Sequence, residues 1–324
     1  MPALDKPLHE LWNYQGINPR PDDFEAYWAR ALEEVYSVDP RPSLSPSTDV
    51  HPRHSEAFDL TFDGVGGSRI YAKYIRPKAG SGGAEQPHPA VLQFHGYSGS
   101  SGDWREKFAL AGEGIAVAAM DCRGQAGKSE DKGSVVGNTL QGHIIRGLND
   151  HEDKLLFRSI FLDTVQLARV VASFDEVDEN RLGCEGGSQG GALSIACAAL
   201  YPNIKRCVSV YPFLSDYKRV WEMDLAKQAY DELGGFFRRF DPLHAREDEI
   251  FTRLGYIDIQ NLAPRIEAEV LMCLTLMDNI CPPSTQFAVY NKIRSVKQAA
   301  VYPDFGHENT PGFQDRAFNF LTQL

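Results

Sequence analysis

Cysteine is scarce in this chain, six in 324 residues, and no two are spaced as Cys-x-x-Cys. That scarcity argues against a disulfide scaffold and gives no support to a zinc ribbon or a thioredoxin-type redox pair. Cys197, Cys207 and Cys273 sit in apolar strand- or helix-like text and read as free buried thiols. No run of about 18 apolar residues occurs, so no membrane-spanning helix is expected. The segment MPALDKPLHELW carries Asp5, His9 and Glu10 where a secretion signal needs an apolar run. An Asn-x-Ser/Thr sequon is also missing, and the reading is cytoplasmic. Positive charge is short as well: 33 Lys+Arg against 44 Asp+Glu give a net charge of −11. Nucleic-acid binding would need the opposite surplus facing phosphates, and docking on an anionic membrane is disfavoured for the same reason. Repeats and low-complexity tracts are absent. What is present is an ordinary apolar content of 43% with 18 Phe, 13 Tyr and 4 Trp, which argues against disorder. A chain near 300 residues can bury roughly three quarters of its unfolded surface. The composition leaves a soluble, acidic, well-packed protein, an enzyme acting on something small or neutral.

Along the chain, Pro21 and the acidic Asp22-Asp23 precede FEAYWARALEEVY, whose Phe24, Tyr27, Trp28, Ala31, Leu32 and Val35 recur at helical spacing. Pro40 to Pro52 is rich in Pro and Ser and reads as loop. AFDLTFDGVGGSRIYAKYIRP alternates around a Gly-rich turn and predicts a β-hairpin. Pro77 to Pro89 reads as a surface loop. Six short apolar runs follow: AVLQFHG, GIAVAAMD, RLGCEG, KRCVSVYP, AEVLMCLTL and AAVYP. They lack strict alternation, as strands covered on both faces do. Helical text lies between them, at Asp103 to Gly112, Phe157 to Phe174, Gln189 to Leu200, Ser284 to Ile293 and Phe313 to Leu324. The alternation predicts an α/β fold with a mostly parallel central sheet flanked by helices. One domain over 1–324 is expected, with an N-terminal extension over 1–85 and a helical insertion over 216–262.

The strongest local signal is Gly186-Gly187-Ser188-Gln189-Gly190-Gly191. Gly186, Ser188 and Gly190 form G-x-S-x-G directly after a strand and before an Ala- and Leu-rich helix, the context of a nucleophile elbow. Ser188 needs a base and an orienting acid, which in this arrangement follow in the order acid, then His. Only His244 and His307 follow it. His244 falls inside the insertion, whereas His307 lies between the last strand and the last helix and is the candidate base. Asp278, just after the preceding strand, is the candidate acid, with Asp216 as competitor. Asp304 and Glu308 are too near His307 in sequence to reach around its ring easily. The oxyanion donors are assigned to the amides of Gln189 and Tyr97, with Gly96 and Ser98 as alternatives to the latter. Three decoys fail on one position each. Arg123 to Ser129 ends like a phosphate loop, but Cys122 stands where the first glycine is required. His151-Glu152 and His307-Glu308 begin like a zinc helix, but the fifth positions are Leu155 and Pro311. No metal or organic cofactor is expected.

Taken together, Arg123-Gly124-Gln125, Gly186-Gly187-Ser188-Gln189-Gly190 and His307-Glu308 resemble the signature trio of the acetyl xylan esterase / cephalosporin C deacetylase family. This is carbohydrate esterase family seven of the α/β-hydrolase superfamily. RPDDFEAYW, HGYSGSSGDW, Arg146-Gly147, YPFLSD and MDNICPPST extend the resemblance across nearly the whole chain. Thr275, where the family usually has Gly, and Leu155-Leu156-Phe157, where it has an aromatic run, depart from the pattern; neither is expected to touch the proposed triad, and through packing or the substrate entrance both bear on acyl-acceptor preference rather than on the chemistry. The resemblance implies a serine esterase that removes acetyl groups from small acetylated sugars, notably xylo-oligosaccharides, and from cephalosporin C. It further implies a doughnut-like hexamer with active sites facing an internal cavity. Arg123, Gln125 and Glu308 would then support the site, the first two by bracing loops. A prolyl-oligopeptidase-type peptidase, an esterase for other short acyl esters and a silent scaffold are the alternatives.

Overall fold

In the computed structural model, residues 4–78, 80, 87–133 and 143–324 are described. The loop expected between Pro77 and Pro89 lies largely outside them. The chain opens with helices α1 (Leu8–Leu11) and α2 (Phe24–Ser37), then strands β1 (Ser43–Pro46), β2 (Ser55–Asp63) and β3 (Arg69–Pro77). The alternating part follows: β4 (His88–Phe94), α3 (Phe108–Gly112), β5 (Ala116–Met120), α4 (Leu156–Ala172), β6 (Val177–Gly187), α5 (Gln189–Leu200) and β7 (Ile204–Val210). Helices α6 (Tyr217–Glu222), α7 (Asp231–Phe240), α8 (Glu247–Leu254) and α9 (Ile259–Leu262) form the insertion. The chain then returns through β8 (Glu269–Thr275), α10 (Pro283–Lys292), β9 (Lys297–Tyr302) and α11 (Phe313–Leu321).

One sheet of nine strands runs in the order β1-β2-β3-β5-β4-β6-β7-β8-β9. Strands β4 to β9 pair in parallel, and β1, β2 and β3 join antiparallel at the β5 side. The predicted hairpin therefore extends the central sheet. One expectation fails: the Pro- and Ser-rich stretch read as loop contains β1, which pairs with the outer edge of β2. Pro is tolerated there because an edge strand needs only half of its backbone donors.

Alternate residues of the central strands face opposite sides, which divides the core in two. Ala90, Leu92 and Phe94 join the larger cluster with α2, α4, α5, α10 and the insertion. Val91, Val117, Val208 and Leu271 face the smaller cluster, made with Leu110, Phe313, Phe320 and Leu321. Every residue of α5 is buried, as its uniformly small and apolar sequence allows. This matters for chemistry: α5 is locked against β4, β6 and β7, and the β6–α5 junction carries the G-x-S-x-G segment.

Candidate active site

Ser188 joins β6 to α5 with φ 57° and ψ −119°. A non-glycine residue at positive φ costs on the order of 1–3 kcal/mol and persists only where surroundings enforce it. Here the Ser188 amide donates to Val210 O (2.9 Å), and its carbonyl accepts from the Ala192 (3.0 Å) and Phe213 (3.1 Å) amides. The two flanking glycines are sterically required. A Cβ at 190 would lie 2.0 Å from the Phe94 carbonyl oxygen, and one at 186 would lie 2.5 Å from the Gly190 carbonyl. The G-x-S-x-G pattern is thus a packing requirement of the turn that exposes Ser188.

His307 follows β9, and its Nδ1 lies 2.8 Å from Asp278 Oδ2. Asp278 follows β8 and is fully buried. Its other oxygen accepts the Ile280 and Cys281 amides, both at 2.8 Å, so the carboxylate is aimed by its own loop. Gln286 and Thr275 approach Oδ2 at a longer 3.4 Å. A carboxylate oxygen at this distance can only accept when ionised, so a neutral imidazole facing it would carry its proton on Nδ1 and leave the Nε2 lone pair for a proton from elsewhere. Tyr211 packs on the imidazole, ring centroids 4.5 Å apart. Cys281 links this pair to the elbow. Its thiol lies within 4.8 Å of the Asp278 and His307 donors and also interacts with the Ser188 side chain. Burial pushes that thiol well above its ordinary range, so it stays protonated.

These three donors form the one group with metal-ligand spacing among the described residues. Asp278 is already bonded through both oxygens and the thiol is held neutral, so the donor chemistry suits proton transfer better than cation binding.

Ser188 and His307 line a cleft of about 380 Å³ with His95, Tyr97, Gln228, Ala229 and Ile280. Tyr97 follows β4 across this cleft, and Gln189 is the first residue of α5. His95 ties the loop after β4 to the segment after β5. Its Nε2 accepts the Cys122 amide (3.0 Å) while Nδ1 faces the Gly96 carbonyl (2.7 Å), a neutral tautomer that burial favours by lowering its pKa. Side-chain amides of Gln125 and Gln189 pair reciprocally at 2.8 and 3.0 Å. Arg123 is also buried and points away from the cleft. It grips Asp163 of α4 through two contacts of 2.7 Å and the Val65 carbonyl at 3.0 Å. Glu308 is exposed and accepts the Gly306 amide at 3.1 Å, closing the turn that carries His307.

The acetyl xylan esterase (AXE1) family matches residues 1–324, the whole chain. The chain belongs to the acetyl xylan esterase family. It carries the α/β-hydrolase fold of that group of carboxylic ester hydrolases. Acetyl xylan esterase 1 from Thermoanaerobacterium sp. JW/SL YS485 is 56% identical in its crystal structure, with a TM-score of 0.96 and 99% of each chain covered. An acetyl xylan esterase from Paenibacillus sp. R4 is 33% identical with a TM-score of 0.92, covering 98% of this chain and 99% of that one. Acetyl esterase Axe7A of Xylanibacter ruminicola is 27% identical over 90% of this chain, and the chain spans 64% of that relative's length.

Within this family frame the competing residues have other partners. Asp216 is buried and accepts Tyr14 Oη (2.8 Å), Ile17 N (3.0 Å) and Asn18 N (2.8 Å), holding the N-terminal segment against the insertion. His244 stacks on Phe237 at 4.6 Å and bonds Glu247 at 2.8 Å. The departures Thr275, Leu155, Leu156 and Phe157 are all buried, and none lines the Ser188 cleft. Leu155, Leu156 and Phe157 pack in the larger core cluster, whereas Thr275 Oγ1 approaches Asp278 Oδ2 at 3.4 Å, so the expectation that the departures leave the triad untouched is corrected for Thr275. Sequence reading missed His95, Tyr211, Gln286 and Glu232. For His95 there was a signal, since it stands directly after β4 and before Gly96. Glu232 had none.

Proposed function

We propose that this family member is a serine esterase that hydrolyses acetyl esters of small carbohydrates, xylo-oligosaccharides above all, and of cephalosporin C. The observation that carries the reading is the Asp278–His307 pair at 2.8 Å, opening on the same cleft as the strained Ser188. Ser188 Oγ attacks the acetyl carbonyl as His307 Nε2 takes its proton. The amides of Tyr97 and Gln189 hold the developing oxyanion, and the α5 N-terminus favours the same charge. His307 then protonates the departing sugar hydroxyl, and a water activated by the same ring releases acetate from the acyl-enzyme. Asp278 holds the imidazole tautomer throughout. A cleft of about 380 Å³ is at the small end of ligand sites, which suits a short acyl group.

From the resemblance alone we further propose assembly as a hexamer whose sites face an internal cavity, which would admit oligosaccharides and reject polymeric xylan. That selectivity suits a cytoplasmic enzyme fed by imported oligosaccharides. No helix among the described residues is long and apolar enough to cross a membrane. The test is acetate release from acetylated xylo-oligosaccharides and cephalosporin C by the wild-type chain and by Ser188→Ala, alongside acetyl, butyryl and octanoyl esters. Expected is loss of turnover in the variant and preference for acetyl. Full turnover by Ser188→Ala would overturn the proposal, and light scattering at monomer mass would remove the hexamer.

A further inference from the structure

Glu232 is a buried carboxylate that the proposed chemistry does not use. It sits on α7 of the insertion, 4% exposed. One of its oxygens accepts the Tyr97 hydroxyl, and the other accepts the Ile145 amide at 2.9 Å. The Tyr97 hydroxyl in turn accepts the His143 amide at 2.9 Å. No salt bridge to Glu232 is present among the described residues; hydrogen-bond donors alone hold the carboxylate. Burial pushes its pKa from the ordinary range up to about 7, against the opposing pull of the Tyr97 hydroxyl. Leaving a carboxylate in such a place is costly where packing alone is at stake, because an apolar residue of the same size would serve.

What this carboxylate holds is the loop after β4. That loop is rich in glycine (Gly96, Gly99, Gly102), and Ser98, next to Tyr97, stands at φ 57°. Such backbone has little stiffness of its own. The Tyr97 side chain is its tether. Its ring packs edge-on against Phe213 (5.4 Å) and His143 (5.0 Å), and its hydroxyl is fixed by Glu232. Phe213 also donates its amide to the Ser188 carbonyl at 3.1 Å. The tether therefore references the Tyr97 backbone to the same framework that holds the nucleophile.

We propose that Glu232 is a positioning residue that, through the Tyr97 hydroxyl, sets the Tyr97 amide in the oxyanion hole and so makes the helical insertion part of the catalytic frame. This rests on the assignment of the Tyr97 amide to the oxyanion hole. Losing an oxyanion donor outright costs about 10²–10³ in kcat, and a donor left in place but loosened should cost less. Glu232→Gln and Tyr97→Phe leave the amide itself intact. Each is expected to lower kcat for 4-nitrophenyl acetate roughly 5- to 30-fold, with KM within about twofold, because the interaction tightens only in the transition state. Glu232→Gln keeps one acceptor oxygen but sets an NH2 donor against the Ile145 or Tyr97 donor, and Tyr97→Phe removes the hydroxyl, so both changes weaken one link and the double variant is expected to be no slower than the slower single. Wild-type kcat in folded Glu232→Gln, a loss confined to KM, or losses that multiply in the double variant would each overturn the proposal. If Glu232→Gln does not fold, Tyr97→Phe decides alone: lower kcat at constant KM supports it, and unchanged kcat overturns it. Ser188→Ala run in parallel separates the levels. Inactive Ser188→Ala with wild-type turnover in the other two sinks only the positioning role, whereas active Ser188→Ala sinks the esterase reading beneath it.

Discussion

Replacing Arg123 with Met tests whether the arginine of the family's first motif acts on substrate or on the fold. Arg123 is 2% exposed and Asp163 is fully buried, and their guanidinium and carboxylate meet through two contacts of 2.7 Å. Met approximates the length of the side chain but leaves the Asp163 carboxylate and the Val65 carbonyl without their donor. Removing one partner of a buried pair typically costs about 3–5 kcal/mol. Unfolding entropy near 2.1 cal/mol/K per residue gives about 0.7 kcal/mol/K for this chain, so Tm should fall by about 4–7 °C. Burial already pushes the Asp163 carboxyl up against the pull of Arg123. Without the guanidinium it rises further, and the folded state then holds a proton that the unfolded chain releases. The deficit should therefore be larger at pH 8 than at pH 5. Calorimetry at both pH values, with kcat and KM at 25 °C, is the assay. Arg123→Met/Asp163→Leu should recover much of the loss, because it leaves no buried unpaired charge. A Tm within about 1 °C of wild type together with a tenfold or greater fall in kcat/KM would refute this reasoning and put Arg123 on the substrate.

Asp278→Asn keeps the shape of the acid but must present its NH2 donor either toward His307 Nδ1 or toward the Ile280 and Cys281 amides; kcat should fall by about 10⁴ with the fold retained. A loss below tenfold in a folded variant would remove Asp278 from the relay. Gly190→Ala forces a Cβ to 2.0 Å from the Phe94 carbonyl oxygen, so the β4–α5 contact must open. Soluble, fully active protein with wild-type Tm would show that the elbow is looser than drawn. Asp258 is buried beside Asp216, and burial raises its pKa from 3.8 to about 7. The folded state holds this proton after the unfolded chain has released it, so this group's contribution to stability declines as pH rises from about 4 to 7. In Asp258→Asn that slope is gone, and the Tm of the variant relative to wild type should improve between pH 5 and pH 8. A pH-independent difference would contradict the assignment.

The parts of the site that could be read in advance are those whose geometry is local. Gly186, Ser188 and Gly190 lie on one turn, and the clash of any Cβ there with Phe94 or Gly190 makes the pattern obligatory. His307 could be reached because only two histidines follow Ser188, and its loop falls between the last strand and the last helix. Asp278 aims itself with the amides two and three residues on. The competition between Asp278 and Asp216 could not be settled that way. Asp216 is committed to Ile17, 199 residues away in the chain, and nothing near it in sequence announces that contact.

Local pattern also determined the strands and helices of the α/β alternation, since burial on one face or two is written into the period of apolar residues. Tertiary structure alone decided that the hairpin joins the central sheet, that a proline-bearing stretch becomes its edge strand, and that Arg123 turns inward to α4. It alone brought Glu232 to Tyr97 across 135 residues. A hydrogen bond between distant segments depends on the packing of everything between them, and no short window of sequence carries that information.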